Sequence, residues 1–176
     1  MAADHLAAVE SLADDLGRAG FDPVLVGGMA LVILGSQRIT KDFDFLVASS
    51  GASTRDLVRI MYRHRLELVT KVGPGGEVLR TVDSPRVANA KIGGSQPRSL
   101  FFYNEKTGLR VDLLLDFPLP ARSVVLRAAK VRLKTGRIAV ASPEDLLRLK
   151  EIAHADRKSA SDAQDLEFLR KILKKA

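Results

Sequence analysis

Apolar residues recur at Leu6, Val9, Ala13 and Leu16, a helical spacing that closes at Gly20, so the pattern predicts an amphipathic helix over Ala2 to Ala19 with a glycine stop. The rhythm then changes. Val24-Leu25-Val26 is an unbroken apolar run of the kind a short buried strand gives, and Gly27-Gly28 lets the backbone turn tightly before the apolar, helix-compatible Met29 to Leu34. Alternation sets in at Asp42-Phe43-Asp44-Phe45-Leu46-Val47, a second strand. Ser53 to Arg65 places Leu57, Ile60, Met61 and His64 on one side, which predicts a helix capped by Ser53 or Thr54. Leu66 to Lys71, Glu77 to Val82, Leu100 to Tyr103 and Leu109 to Leu115 read as strands, separated by turn signals at Gly73-Pro74-Gly75-Gly76, Gly93-Gly94 and Thr107-Gly108. A mixed sheet with hairpins in its second half follows. Ser142-Pro143-Glu144-Asp145 is a helix start, with Leu146, Leu149 and Ile152 as its buried stripe, and Leu166, Leu169 and Leu173 give a last helix its apolar face. No internal repeat or low-complexity tract is present.

The chemistry concentrates where the glycine turn meets the alternating strand. In a strand, positions i and i+2 share a face, so Asp42 and Asp44 project together while Phe43 and Phe45 enter the opposite layer. Two adjacent carboxylates repel unless a cation joins them, and hard oxygen ligands with room left for substrate phosphates suit Mg²⁺. Backbone N–H groups freed after Gly27-Gly28 would point at whatever anion sits over the glycines, and phosphate is the natural guest. An isolated Asp-x-Asp is common in solvated turns; the glycine turn and the apolar run beside it set this one apart.

These residues resemble the nucleotidyltransferase superfamily of the DNA polymerase beta type, whose shared pattern is a Gly-Gly or Gly-Ser turn, a short helix, and an acidic pair on the next strand. The match is closest to the abortive-infection toxin branch of bacterial toxin-antitoxin nucleotidyltransferases, which often carries Arg-x-Thr-x-Asp-x-Asp, here Arg38-Ile39-Thr40-Lys41-Asp42-Phe43-Asp44. Met29 stands where many members have serine, so phosphate contacts would fall to backbone N–H groups and to Gly27, Gly28, Arg38 and Thr40. The resemblance implies a third carboxylate on a neighbouring strand, and Asp112 within Leu109 to Leu115 is the candidate, as a metal ligand and as general base toward an attacking hydroxyl. Asp116 competes with it, but lies about 13 Å further along an extended strand and reads as a strand terminus before Phe117-Pro118. Ser142-Pro143-Glu144-Asp145-Leu146-Leu147-x-x-Lys150 resembles the family phrase whose lysine reaches the triphosphate, although an exposed helix lysine is an equal reading of Lys150. Arg157 and Lys158 could touch phosphates, while Asp162 or Asp165 could orient Lys150 or cap the last helix.

Composition narrows the partners. A chain of 176 residues with 46% hydrophobic content can close a sizeable core. The absence of cysteine removes disulfides, thiolate catalysis and cysteine-bound zinc, and the three histidines, His5, His64 and His154, have no metal-binding spacing. No secretory signal is visible and Val24 to Leu34 is too short to span a bilayer, which predicts a cytoplasmic protein. A net charge of +7 makes an acidic partner plausible, nucleic acid first. Lys130, Arg132 and Lys134 would share one strand face, either as a lysine-protected edge or as a phosphate contact surface. With aromatics at 5% and no tryptophan, stacking of single-stranded bases is poorly supported, and a folded RNA recognised through its backbone and end is the better guess.

The expectation is an α+β (α/β) nucleotidyltransferase-like fold: a mixed β-sheet with flanking helices and a helical C-terminal part. Residues 1–141 would form the core, and 142–176 a helical segment packed on it. The resemblance implies transfer of a nucleoside monophosphate from an NTP, with ATP among the candidates, to a hydroxyl acceptor such as a tRNA end. Asp42, Asp44 and Asp112 would hold two Mg²⁺ ions, with Mn²⁺ as a substitute, and Gly27, Gly28, Arg38, Thr40, Lys150 and Asp165 would serve the nucleotide. A cognate antitoxin would be the partner. The competing readings are a transferase acting on a small, aminoglycoside-like molecule or on a protein, and a catalytically silent nucleic-acid-binding module.

Overall fold

Every strand that alternation predicts forms, and all join one sheet. The computed structural model describes residues 2–48, 51–95, 97–133, 135–157 and 159–175. In chain order its elements are α1 (Ala2–Arg18), β1 (Val24–Val26), α2 (Gly27–Ile33), β2 (Asp42–Val47), α3 (Thr54–Arg63), β3 (Glu67–Val72), β4 (Val78–Val82), α4 (Pro85–Ser95), β5 (Ser99–Asn104), β6 (Leu109–Leu115), α5 (Ala121–Arg127), β7 (Ala129–Arg132), β8 (Arg137–Val140), α6 (Pro143–Arg157) and α7 (Ala160–Leu173). The eight strands are ordered β4-β3-β5-β6-β2-β1-β8-β7. Three hairpins, β3–β4, β5–β6 and β7–β8, are antiparallel, whereas β2–β6 and β1–β8 are parallel and so need long connections. The mixed α/β architecture expected from the sequence is the one observed.

The sheet's apolar face builds the core. Phe43 opposes Val111 and Phe45 opposes Leu113 across β2–β6, and Phe102 and Leu100 continue those rows on β5. Phe43, Phe45 and Phe102 are buried with Leu12 and Leu16 of α1 and Leu57, Ile60 and Met61 of α3 in one cluster. Each such side chain stabilises the fold by about 1.5–3 kcal/mol through removal from water. The helices are held by local chemistry as well. Gly20 adopts φ +86° and ends α1, and the Ser53 hydroxyl accepts from the Asp56 N–H at 3.2 Å to cap α3. His64 closes α3 onto α1 through a 2.9 Å contact of its Nε2 with Asp15, which together with nearby arginines holds the Asp15 carboxyl below its usual value.

Three elements between 83 and 141, α4, α5 and β8, depart from expectation. Gly93-Gly94 lies inside α4 rather than in a turn, because Ser84-Pro85 starts a helix whose Ala88 and Ile92 reach the core, and a Cβ at either glycine would meet nothing within 4 Å. The glycines are tolerated there and make no turn. Helix α5 and strand β8 were not predicted either. Lys130 and Arg132 lie exposed on β7, an outermost strand, while Lys134 lies outside the described residues. Among the described residues, no helix is long and apolar enough to cross a membrane.

Candidate active site

The parallel register of β2 and β6 sets the site. Asp44 stands opposite Asp112 and Asp42 opposite Arg110, so all four project from the sheet face away from the Phe43 and Phe45 core. Asp42 is 46% exposed and its Oδ1 lies 3.9 Å from Arg110 Nε. Asp112 sits deeper. Burial, reinforced by the charges of Asp44 and Asp42 and only partly relieved by Arg110, pushes its carboxyl up to about 7. Asp116, the competing carboxylate, instead accepts from the Ala121 N–H at 2.7 Å and caps α5.

The glycine turn serves these side chains by making room. Gly27 adopts φ +65°, and a Cβ there would overlap the Asp44 carboxylate. A Cβ at Gly28 would fall 2.9 Å from the Arg38 guanidinium carbon. Helix α2 has only seven residues, so the turn contributes space for a ligand more than a strong helix-end field. Thr40 lies on the cleft wall, and its hydroxyl is 3.4 Å from the Asp42 N–H.

Opposite the sheet, α6 supplies a cation, Lys150, and α7 the acids that hold it. Ser142 caps α6, accepting from the Asp145 N–H at 3.2 Å, and buried Asp145 holds Arg127 of α5 through bonds of 2.9 and 2.7 Å. Lys150 lies 3.2 Å from Asp162 and 2.7 Å from Asp165, both nearly fully buried. Arg38 donates to Asp165 from the other side, so one carboxylate gathers the two cations beside the cleft. Asp162 is not the cap of α7. Ser159 is, accepting from the Asp162 N–H at 3.2 Å, while Asp162 both receives the Ser159 hydroxyl and orients Lys150. Lys158 and the Arg157 side chain lie outside the described residues.

A cleft of about 720 Å³ joins these parts. It is lined by Gly27, Gly28, Arg38, Thr40, Asp42, Asp44, Asp112 and Lys150, so these predicted site residues face it, and Asp165 sits one contact behind. Ile152, expected in a buried stripe, is 37% exposed and lines the cleft with Leu149 because the helix turns that face toward the opening rather than the core. The lining also includes Ser99, Phe117, Ser159 and Ser161, which the sequence did not single out. No spacing signal marks them: they meet only through the tertiary fold.

A mixed sheet in which a strand with two carboxylates lies parallel to a strand with a third, beneath a glycine turn and opposite a helical lysine, defines a nucleotidyltransferase. Two solved structures share the fold: the antigenic nucleotidyltransferase-like protein of Paracoccidioides brasiliensis, at 18% identity and a TM-score of 0.57 over 96% of this chain and 77% of its own, and the lincomycin-bound lincosamide antibiotic adenylyltransferase LnuA, at 13% identity and 0.57 over 94% and 96%. No curated protein matches the chain in sequence. Residues 9–175 match the family model for the nucleotidyl transferase AbiEii toxin of type IV toxin-antitoxin systems, and the chain belongs to that family.

Proposed function

We propose that this chain transfers a nucleoside monophosphate from an NTP to a hydroxyl of RNA, a tRNA end being the leading acceptor, and that it acts in the cytoplasm as a toxin restrained by a cognate antitoxin. The observation that carries the reading is the apposition of Asp44 and Asp112, with Asp42 on the same face, inside a cleft whose far wall presents Lys150. Among the described residues, no three His, Cys, Asp or Glu side chains are gathered into a ready-made metal cage. The donor set nevertheless fits a hard divalent cation, because Asp42 and Asp44 already act on Asp112 through their charges, and that repulsion is what a cation relieves. Mg²⁺ or Mn²⁺ held by Asp42, Asp44 and Asp112 would supply charge compensation to the triphosphate and polarise the acceptor hydroxyl.

The protein's own groups do the rest. Gly27 and Gly28 admit the triphosphate close to the backbone, and Lys150 and Arg38, fixed by Asp165, offer it positive charge. Asp112 accepts the proton of the acceptor hydroxyl at its carboxylate. The freed oxygen forms a new bond to the α-phosphorus while the bond to the bridging oxygen breaks, and pyrophosphate leaves with that electron pair.

Incubating the protein with each α-labelled NTP, Mg²⁺ and total RNA tests this. Label on a tRNA-sized band is expected, falling by at least about 10³-fold in Asp42→Ala and in Asp44→Ala. Full transfer by either variant sinks the mechanism, and label on a small molecule or on protein moves the acceptor.

A further inference from the structure

The middle of the chain, from β3 to α4, takes no part in the cleft, yet it is tied to it. The β3–β4 ladder shifts register between Val69 and Lys71 and again between Lys71 and Val72. Bulges bend a hairpin out of the sheet plane. The tip of this one arrives beside the site, where Arg110 Nη1 donates to the Gly76 carbonyl at 3.1 Å while its Nε faces Asp42. Arg110 shares its sheet face with Asp112, so the hairpin tip lies on the face that carries the carboxylates.

Between this hairpin and α4 runs a groove of about 420 Å³, lined by Lys71, Arg80 and Lys91, the hydroxyls of Thr70 and Thr81, and a single acid, Asp83. The three cations are exposed, and among the described residues none forms an ion pair, whereas Arg18, Arg59 and Lys171 are each paired with an acid on their own helix. Charge that serves only solubility is ordinarily interspersed with acids. Three such cations gathered in one groove suit a run of phosphates, while the Thr70 and Thr81 hydroxyls donate within the protein, to the Arg80 carbonyl and to Glu67.

We propose that this groove is the docking surface for the phosphate backbone of the acceptor RNA, held so that the RNA end passes the hairpin tip and Arg110 into the cleft. The inference rests on the RNA reading given above. An RNA is favoured over an acidic protein because the groove and the catalytic carboxylates are linked by one hairpin, and only an acceptor needs to span both.

The test combines Lys71→Ala, Arg80→Ala and Lys91→Ala in one variant, with a melting curve to confirm folding, and reads two quantities. The first is binding of a fluorescent tRNA-sized RNA across a salt series; the second is nucleotidyl transfer. The groove predicts at least about tenfold weaker RNA binding, a salt slope reduced by about 2–3, a raised KM for RNA, and an unchanged KM for NTP. Wild-type protein that binds and labels RNA, with the triple variant equal to it in affinity and slope, overturns the groove and leaves the RNA reading standing. Wild-type protein that labels another acceptor and does not bind RNA overturns both. RNA binding lost in the variant while wild-type label goes elsewhere also overturns the proposal, because the RNA held in the groove is then not the acceptor.

Discussion

Gly27 shows how closely a residue can be specified without touching chemistry itself. Its φ of +65° favours glycine, and a Cβ would occupy the space of the Asp44 carboxylate. Gly27→Ala should therefore displace Asp44, and transfer should fall by about 10²-fold, with only a modest drop in melting temperature. Activity near wild type would show that Asp44 has freedom the site does not reveal. Asp112 makes the opposite bargain. Its folded value of about 7 stands above the ordinary 3.8, so the folded protein holds a proton the unfolded chain releases. That contribution is full below about pH 4 and is lost as pH rises through 7. Without divalent metal, thermal stability should decline between about pH 4 and 7, and Asp112→Asn should flatten the decline and melt higher at pH 8 while losing transfer. Equal slopes in the two proteins would remove the proton from Asp112.

At the scale of elements, the joint between α6, α7 and the Arg38 segment bears the most. Asp165 is 3% exposed and meets both Lys150 and Arg38, so its removal leaves the Arg38 guanidinium without its carboxylate and Lys150 with Asp162 alone. Asp165→Ala should cost about 3–5 kcal/mol and lower the melting temperature by about 6–15 °C. Differential scanning calorimetry checks it, and a shift under 2 °C, about what 1 kcal/mol gives in a chain this size, would mean water already serves the pair. Elements also show what the chain revealed of itself. The strands at 24–26, 42–47 and 109–115 and the capped helices α3 and α6 were legible because their patterning and caps are local. Asp112 needed the family resemblance, since nothing in its own strand says which neighbour it faces. Helix α4 was hidden by Gly93-Gly94, and β8 by its brevity and by a parallel partner, β1, distant in sequence. The network of Arg38 with Asp165 was invisible for the same reason: two residues far apart in sequence become partners only when the last helix docks.

As a whole, the molecule is an open sheet with two edges, β4 and β7. Lys130 and Arg132 stand exposed on β7, where unpaired backbone groups would otherwise invite another strand. Replacing both with isoleucine should leave folding and transfer intact in dilute solution but produce concentration-dependent association by light scattering. A monodisperse variant would assign those cations to something other than edge protection. The sheet's parallel centre has a further consequence, in the order of synthesis. β2 leaves the ribosome early, yet its carboxylates acquire their third companion only when residues 109–115 have emerged and paired, and the Lys150 wall only when α6 has followed. A nascent chain thus lacks the assembled cleft until α6 has emerged, and a product truncated before α6 carries the acids without the lysine that faces them. For a toxin, the distance in sequence between β2 and α6 is itself a safety catch.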